Sequence, residues 1–287
     1  MLLELAVGDA YGAGFEYVDR DAIAAANDLA QYVQHPRHNI PPGWYTDDTQ
    51  MSMAIAEAML AGAPWTPRML ADKFVEVFTR DPREGYAARF YAFLIRVRDG
   101  QQFLAEIEPT SDKSGAAMRA APIGVFPELQ DVIARTTLQA KLTHNTPDGI
   151  NAAVAAALMT HYFVHDRGSK QNLGRFLEQH VPGQWSEPWR GKVKAKGWMS
   201  VRAAVAAVVA NHQMSALLKH CIAFSGDVDT VAAIALAAGA WSREIEQDLP
   251  PNLIARLENR AYGRDYLVGL DTQLMWYRHG AQECSAG

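Results

Sequence analysis

The chain of 287 residues contains only two cysteines, Cys221 and Cys284. That number is too small for a disulfide scaffold or for a zinc site built on cysteine. The first residues reach Asp9 with no basic segment or long apolar run, so we expect no signal peptide. The longest nearly uncharged apolar run, residues 228–241, contains Asp229 and is too short to cross a bilayer. These absences lead us to expect a cytoplasmic, reducing environment and no membrane partner.

Positive charge is also scarce, because 27 Lys and Arg residues stand against 32 Asp and Glu residues. Bulk electrostatic attraction to nucleic acid is therefore not expected. Hydrophobic residues make up 49% and charged residues 21% of the chain, which is ordinary for a globular protein and excludes disorder along the whole length.

Strict alternation of apolar and polar residues, the pattern of a half-buried strand, is missing over any convincing length. Helical spacing is common instead, as in Leu70, Phe74, Val77 and Phe78, which form one apolar stripe. Three alanine-rich segments are expected to be central, buried helices: residues 151–164, 201–210 and 231–240. Because no repeat or interdomain linker is visible, we predict one all-α domain covering residues 1–287.

Two segments combine adjacent acidic residues with a threonine, and each leads into an apolar helical pattern. The first is YTDDTQ at residues 45–50, and the second is SGDVDT at residues 225–230. Capping of the helix N-terminus explains one residue in each segment but does not need two carboxylates. Neither segment has basic residues beside it in the sequence. If the two segments meet, their carboxylates repel one another unless cations lie between them.

The ligands that these segments offer are oxygen atoms only, which favour a hard cation over zinc. We therefore predict two Mg²⁺ or Mn²⁺ ions, since enough oxygens are present for two metals about 3.5–4 Å apart.

Two further segments carry weaker signals. In residues 8–16, three glycines are expected to break the helix that begins at Leu2, and Glu16 ends the segment. A glycine-rich turn with a solvated glutamate explains this segment equally well. In residues 110–124, hydroxyl side chains lead into a short helix that Pro122 stops, and backbone N–H groups at such a start can hold a phosphate. A plain helix start is the alternative there.

Together these blocks resemble the ADP-ribosylglycohydrolase family. The matches are G-D-x-x-G-x-x-x-E at 8–16, Y-T-D-D-T-Q-M at 45–51, G-A-A-M-R-A-A-P-I-G at 115–124 and G-D-x-D-T-x-A-A-I at 226–234. Residues 143–149 also resemble a family block, so the resemblance extends over nearly the whole chain.

The resemblance implies a compact, orthogonal all-α bundle around a dinuclear metal site. It assigns the metal ligands Thr46, Asp47, Asp48, Asp227, Asp229 and Thr230. It places Glu16 on a mobile segment beside the scissile bond, with Glu16 or Asp48 accepting the proton of the attacking water. It further assigns the diphosphate to a turn that contains Ser111, Lys113, Ser114 and Gly115, and the adenosine end of the substrate to His144. Asp112 would then face an anionic ligand, with Lys113 as the compensating charge.

The function that follows is metal-dependent removal of ADP-ribose from a modified protein side chain, with arginine as the favoured residue. Immunity against an ADP-ribosylating toxin, with a cognate ADP-ribosyltransferase as partner, is one biological setting. The alternatives are a serine-linked or O-acetyl conjugate as substrate, or a non-catalytic module that binds ADP-ribose or a toxin.

A zinc hydrolase that uses His161 and His165 is a third class, but Tyr162 stands where zinc proteases have glutamate. His35 and His38 are interpreted as uninformative.

Overall fold

The computed structural model describes residues 1–280, with side chains described through residue 275, and its regular secondary structure there is helical, without strands. The all-α prediction is confirmed. None of the described helices is both long and apolar enough to span a membrane. The predicted domain also includes residues 281–287, and thus Cys284, which lie outside the described residues.

The α-helices follow one another along the chain. They are α1 Leu2–Ala13, α2 Arg20–Ala26, α3 Asp47–Leu60, α4 Pro67–Arg80, α5 Ala88–Arg96, α6 Gly100–Glu106, α7 Gly115–Met118, α8 Leu129–Lys141, α9 Pro147–Val164, α10 Leu173–His180, α11 Gly197–Ala210, α12 Met214–Ala223, α13 Val228–Gly239, α14 Pro251–Arg256 and α15 Arg264–Gly280. Two 3₁₀ helices occupy Ala121–Val125 and Lys170–Asn172. Long loops precede α3 and α11.

Helix α13 lies at the centre, and all of its residues are buried. It packs against α1, α12, α11 and α9. Its alanine side chains are small, so neighbouring helix axes can approach closely while apolar surface is removed from water. The three alanine-rich segments form α9, α11 and α13, as predicted from the sequence.

Helix α1 continues through Gly8 and Gly12, so the prediction that these glycines break the helix is wrong. A Cβ atom added to Gly12 would lie 2.4 Å from Cα of Asp229, and one added to Gly8 would lie 2.8 Å from the carbonyl carbon of Ala232. Glycine lowers helix propensity by about 1 kcal/mol relative to alanine. The close packing of α1 on α13 offsets that cost and brings Asp229 against the C-terminal half of α1.

The two acidic segments begin helices, as predicted. Thr46 is the N-cap of α3, and Asp227 is the N-cap of α13. The turn before α13 contains Gly226 at φ +100°, where a Cβ atom would lie 1.7 Å from the carbonyl oxygen of Val193. Only glycine allows the chain to pass this point and deliver Asp227 to the interior.

The loop that precedes α11 includes residues 190–196, which we call the basic strap because four of its seven residues are Arg or Lys. Val193 is buried and hydrogen bonded on both sides: its N–H donates to the carbonyl of Ser225 at 2.9 Å, and its carbonyl accepts from Asp227 N–H at 3.1 Å. Further along, the carbonyl of Ala195 accepts from Ser114 N–H at 3.1 Å. The basic strap thus joins the turn before α7 to the start of α13.

We predict that Gly12→Ala destabilises the protein by about 1–3 kcal/mol, because the added methyl group overlaps the backbone of α13. Gly269→Ala is the matched control. Gly269 lies exposed in α15, where an added Cβ atom would meet no neighbouring atom within 4 Å, so alanine should stabilise the protein there by about 0.5–1 kcal/mol. Urea unfolding monitored by circular dichroism measures both changes. Equal effects of the two substitutions would contradict close packing of α1 on α13.

Candidate active site

The acidic helix starts meet at the C-terminal end of α1. Carboxylate oxygens of Glu16, Asp227 and Asp229 lie within 4.8 Å of one another. Asp48 lies close enough to this group for Asp227 and Thr230 to affect the pKa of its carboxylate. Two chain segments that are far apart in sequence therefore form one acidic cluster, together with Thr46 and Asp47.

Asp9, to which the sequence motifs assign no separate role, fixes the geometry of the α3 start. Its buried carboxylate accepts hydrogen bonds from Thr46 N–H at 2.9 Å, Thr46 Oγ1 at 2.8 Å, Thr49 N–H at 3.0 Å and Thr49 Oγ1 at 2.6 Å. It thereby satisfies backbone N–H groups that have no partner inside the helix. Its place beside Gly8 in the first matched block was visible in the sequence, but its partners were not.

Burial and mutual repulsion disfavour the charged forms of the cluster. Burial first, and then the neighbouring carboxylates, raise the pKa values of Asp47, Asp48 and Asp229 well above their usual range. Burial and the charge of Glu16 raise the pKa of Asp227 to about 6. Hydroxyl donors limit that last shift, and they come from Ser114, Ser200 and Thr230.

One oxygen of this cluster lacks a partner. Asp48 Oδ1 is buried and makes no hydrogen bond to any described residue. An unsatisfied buried carboxylate oxygen is costly, and a cation would satisfy it while neutralising its neighbours. Because the available ligands are carboxylate and hydroxyl oxygens, the site is compatible with a hard divalent cation.

Glu16 lies at the edge of the cluster and contacts two basic side chains. Its Oε2 lies 3.2 Å from His35 Nε2 and 2.5 Å from Arg37 Nη2. Burial raises the pKa of Glu16, but its interactions with His35 and Arg37 outweigh burial, so the net shift of its pKa is downward. The interpretation of His35 as uninformative is wrong, because a loop remote in sequence brings it to Glu16.

The turn before α7 lies beside the acidic cluster. Ser114 donates to Asp227 through its side chain, and Lys113 N–H donates to Ser111 Oγ at 3.2 Å. Asp112 forms an ion pair with Lys196 of the basic strap. From the sequence we expected Lys113 to compensate the charge of Asp112, and the structure gives that role to Lys196. Lys113 remains exposed.

His144 lies next to Gly115, the first residue of α7. A Cβ atom on Gly115 would lie 3.1 Å from Cε1 and 3.3 Å from Nε2 of the imidazole. Burial, followed by the charges of Arg119 and Lys113, lowers the pKa of His144 to about 3, so the ring is neutral near pH 7. The structure thus brings His144 and the predicted phosphate turn together.

His161 and His165 do not form a metal site. The two rings are 4.5 Å apart, but His161 Nδ1 contacts the carbonyl of Phe126 at 3.1 Å and its Nε2 contacts Arg167 at 3.3 Å. Among residues with described side chains, the group of three acidic or histidine ligands able to hold a metal is Glu16, Asp227 and Asp229.

Comparison with known proteins identifies the family of this chain. The family model for ADP-ribosylglycohydrolase matches residues 1–282. The chain is 26% identical over 276 residues to the ADP-ribosyl-[dinitrogen reductase] glycohydrolase of Rhodospirillum rubrum, covering 89% of this chain and 88% of that protein. It is 23% identical over 254 residues to ADP-ribosylarginine hydrolase Tri1 of Serratia proteamaculans, covering 81% and 67% of the two chains.

A shorter match, 30% identical over 189 residues, is to ADP-ribosylhydrolase ARH3 of Bos taurus; it covers 60% of this chain and about half, 50%, of the relative. A solved structure titled "ADP-ribosylglycohydrolase-related protein complex" aligns with a TM-score of 0.72 at 22% identity, covering 95% of this chain and 94% of the other.

These matches define a hydrolase of the metal-dependent class that acts on ADP-ribose conjugates. The chain belongs to the ADP-ribosylglycohydrolase family.

We predict that Asp9→Asn destabilises the protein by about 1–3 kcal/mol, because the amide NH₂ meets the hydrogen-bond donors that now point at the carboxylate. The rate of hydrolysis of ADP-ribose conjugates should also fall in this variant. Asp19→Asn is the control, since Asp19 caps α2 on the surface and asparagine is an equally good N-cap. Thermal unfolding and a turnover assay measure both variants. An Asp9→Asn variant with unchanged stability and turnover would contradict the proposed role of Asp9 in holding the α3 start.

The stability of the acidic cluster should depend on pH. A carboxyl group whose pKa is raised in the folded state binds more protons when folded than when unfolded. Its contribution to stability is therefore present below the unfolded pKa and is lost as pH rises through the folded pKa. For Asp227 this pH window extends from 3.8 to about 6. The pKa values of Asp48 and Asp229 are raised well above 3.8, so the window of the whole cluster extends to higher pH.

With chelator present, the unfolding free energy should therefore fall between pH 5 and pH 8, a range that includes the upper part of the Asp227 window, at about 6. Added Mg²⁺ should restore it, and more strongly at the higher pH, because deprotonated carboxylates bind the cation. Calorimetry at both pH values with and without Mg²⁺ measures this, and a pH-independent effect of Mg²⁺ would contradict it.

Proposed function

We propose that this protein removes ADP-ribose from modified arginine side chains and that it does so with two Mg²⁺ or Mn²⁺ ions held by Thr46, Asp47, Asp48, Asp227, Asp229 and Thr230. The substrate is an ADP-ribosylated protein, and an ADP-ribosyltransferase must supply it. A toxin of that class is one such source.

The observation that carries the proposal is the convergence of the two acidic helix starts. The carboxylates of Asp48 and Asp229, which are 229 − 48 = 181 positions apart, share one buried cluster with Glu16 at its rim. Packing alone gives no reason to bury these groups together, since their mutual repulsion destabilises the fold. A cation-binding reaction centre gives a reason.

The contacts of Glu16 favour arginine as the conjugated residue. Its carboxylate accepts a hydrogen bond from the guanidinium of Arg37, which also lies 4.7 Å above the Tyr17 ring. The rim of the site therefore already accommodates a guanidinium between a carboxylate and an aromatic face, which is a geometry that suits this group. The similarity to proteins named as arginine hydrolases points in the same direction.

In this mechanism the cations supply Lewis acidity and neutralise the cluster. The chain's own residues orient the reactants: Asp9 holds the α3 start, and Ser114 and Ser200 hold Asp227 by hydrogen bonds. Glycosidic cleavage develops positive charge on the ribose ring, which the surrounding carboxylates stabilise. Asp48 or Glu16 accepts the proton of the attacking water, and that proton then reaches the departing guanidine.

The remaining substrate-binding roles are assigned to the neighbouring turn. Ser111, Lys113, Ser114 and Gly115 contact the diphosphate of ADP-ribose, while His144 lies toward the adenosine end. A relative named only as an ADP-ribosylhydrolase leaves the linkage open, so serine-linked and O-acetyl-ADP-ribose are the substrates to compare.

The experiment offers arginine-, serine- and acetyl-linked ADP-ribose to the purified protein and measures released ADP-ribose with and without chelator. We expect the arginine conjugate to be hydrolysed fastest and the chelator to abolish the reaction. Faster turnover of another conjugate would change the substrate assignment while leaving the metal site intact.

Asp229→Asn should lower kcat by at least about 100-fold, because a buried ligand and its charge are lost while the side-chain shape is kept. Asp248→Asn is the control, since the Asp248 carboxylate accepts hydrogen bonds from Ser215 at the start of α12. Circular dichroism establishes that both variants fold. Full activity of Asp229→Asn would exclude the proposed ligand set.

A further inference from the structure

Arg119 is a buried cation without an acidic partner at hydrogen-bond distance among the described residues. It follows α7, and its side chain is almost fully inaccessible to solvent. Its guanidinium donates to Gln139 Oε1 at 2.7 Å, to the Gln139 carbonyl at 3.2 Å and to Thr143 Oγ1 at 2.8 Å, and it lies 4.5 Å from the centre of the Phe74 ring. Burying an unpaired charge is costly. Packing alone therefore does not explain why the Arg119 guanidinium is buried and hydrogen bonded to Gln139 and Thr143.

The direction of these hydrogen bonds follows from the donors that each side chain has. Arginine has only donors, so Thr143 Oγ1 accepts from Arg119. The Thr143 hydroxyl then has its own hydrogen to place, and its remaining neighbour among the described residues is His144 Nδ1 at 2.7 Å. Donation to Nδ1 satisfies both groups, whereas the opposite direction leaves a buried hydroxyl hydrogen without an acceptor.

An imidazole that accepts at Nδ1 and is neutral carries its proton on Nε2. The charged groups that act on His144 are Arg119 and Lys113, both cationic, and together with burial they keep the ring neutral. Nε2 is the ring nitrogen next to Gly115 at the start of α7. The ring therefore presents an N–H donor on the side of the predicted phosphate turn.

We propose that Arg119 and Thr143 are positioning residues that hold His144 as the Nε2–H tautomer, so that it donates a hydrogen bond to an acceptor oxygen of bound ADP-ribose. This inference rests on the proposed function for the identity of the ligand. The opposite tautomer would present a lone pair to the same oxygen and would repel it. Arg119 and Thr143 thus tune affinity without touching the ligand.

The test reads the tautomer directly in the protein without ligand. Nitrogen-15 NMR of the labelled protein distinguishes a protonated Nε2 from a protonated Nδ1 in His144. We expect the wild type to show one tautomer, Nε2–H, from pH 6 to pH 8, and Thr143→Val to show both. Thr143→Ser keeps the hydroxyl and should restore the wild-type spectrum.

Thr136→Val is the matched control, because Thr136 is also a buried threonine, in α8, but its hydroxyl has no hydrogen-bond partner among the described residues. Its His144 signals should match those of the wild type. Calorimetric titration with ADP-ribose in Mg²⁺ should show affinity about fivefold to tenfold weaker for Thr143→Val. Thr136→Val and Thr143→Ser should bind as the wild type does.

A wild-type His144 protonated on Nδ1, or an unchanged tautomer and affinity in Thr143→Val, would overturn the inference. The outcome is separable from that of the proposed function. If ADP-ribose binds and the tautomer shifts as expected while no conjugate is hydrolysed, the positioning role stands and the proposed reaction fails.

Discussion

Mutual repulsion among buried carboxylates is the constraint on which the rest of this structure depends. Asp48, Asp227 and Asp229 are buried within one cluster. The charge of Asp227 raises the pKa values of Asp48 and Asp229, and the charge of Asp48 raises the pKa of Asp229. Such a cluster persists in an apolar core only if donors and helix N-termini surround it. The chain supplies them through α3, α13 and the hydroxyl groups of Ser114 and Ser200. The glycines of α1 and the turn at Gly226 are required because the elements that carry these groups must approach so closely.

Much of the fold was predictable because its signals are local. Helical spacing and alanine-rich segments predicted an all-α protein with α9, α11 and α13 at the centre, and the acidic helix starts were placed correctly. The predicted break in α1 was wrong because propensity treats Gly8 and Gly12 as isolated residues. Their contacts with α13 involve residues more than 200 positions away, which no local pattern encodes.

The site was predictable in its acidic members and not in its supporting ones. Asp47 and Asp229 were recognisable from paired carboxylates and from the family resemblance, although their roles as ligands remain a prediction. Asp9, Ser200 and Arg37 reach the cluster from separate elements, and each is an ordinary residue in its own segment. Their importance depends on tertiary contacts such as the hydrogen bond from Ser200 to Asp227 at 3.1 Å.

The order of these elements along the chain has a consequence for biosynthesis. Asp9 and the α3 start emerge early from the ribosome, but Gly12 finds its packing partner only after the segment that contains Asp229 has been translated. Until then the nascent chain exposes an acidic, apolar helix pair with no counterpart. The acidic cluster therefore forms after synthesis of most of the polypeptide, and a truncated translation product ending before α13 would lack it and be a substrate for chaperones or proteases.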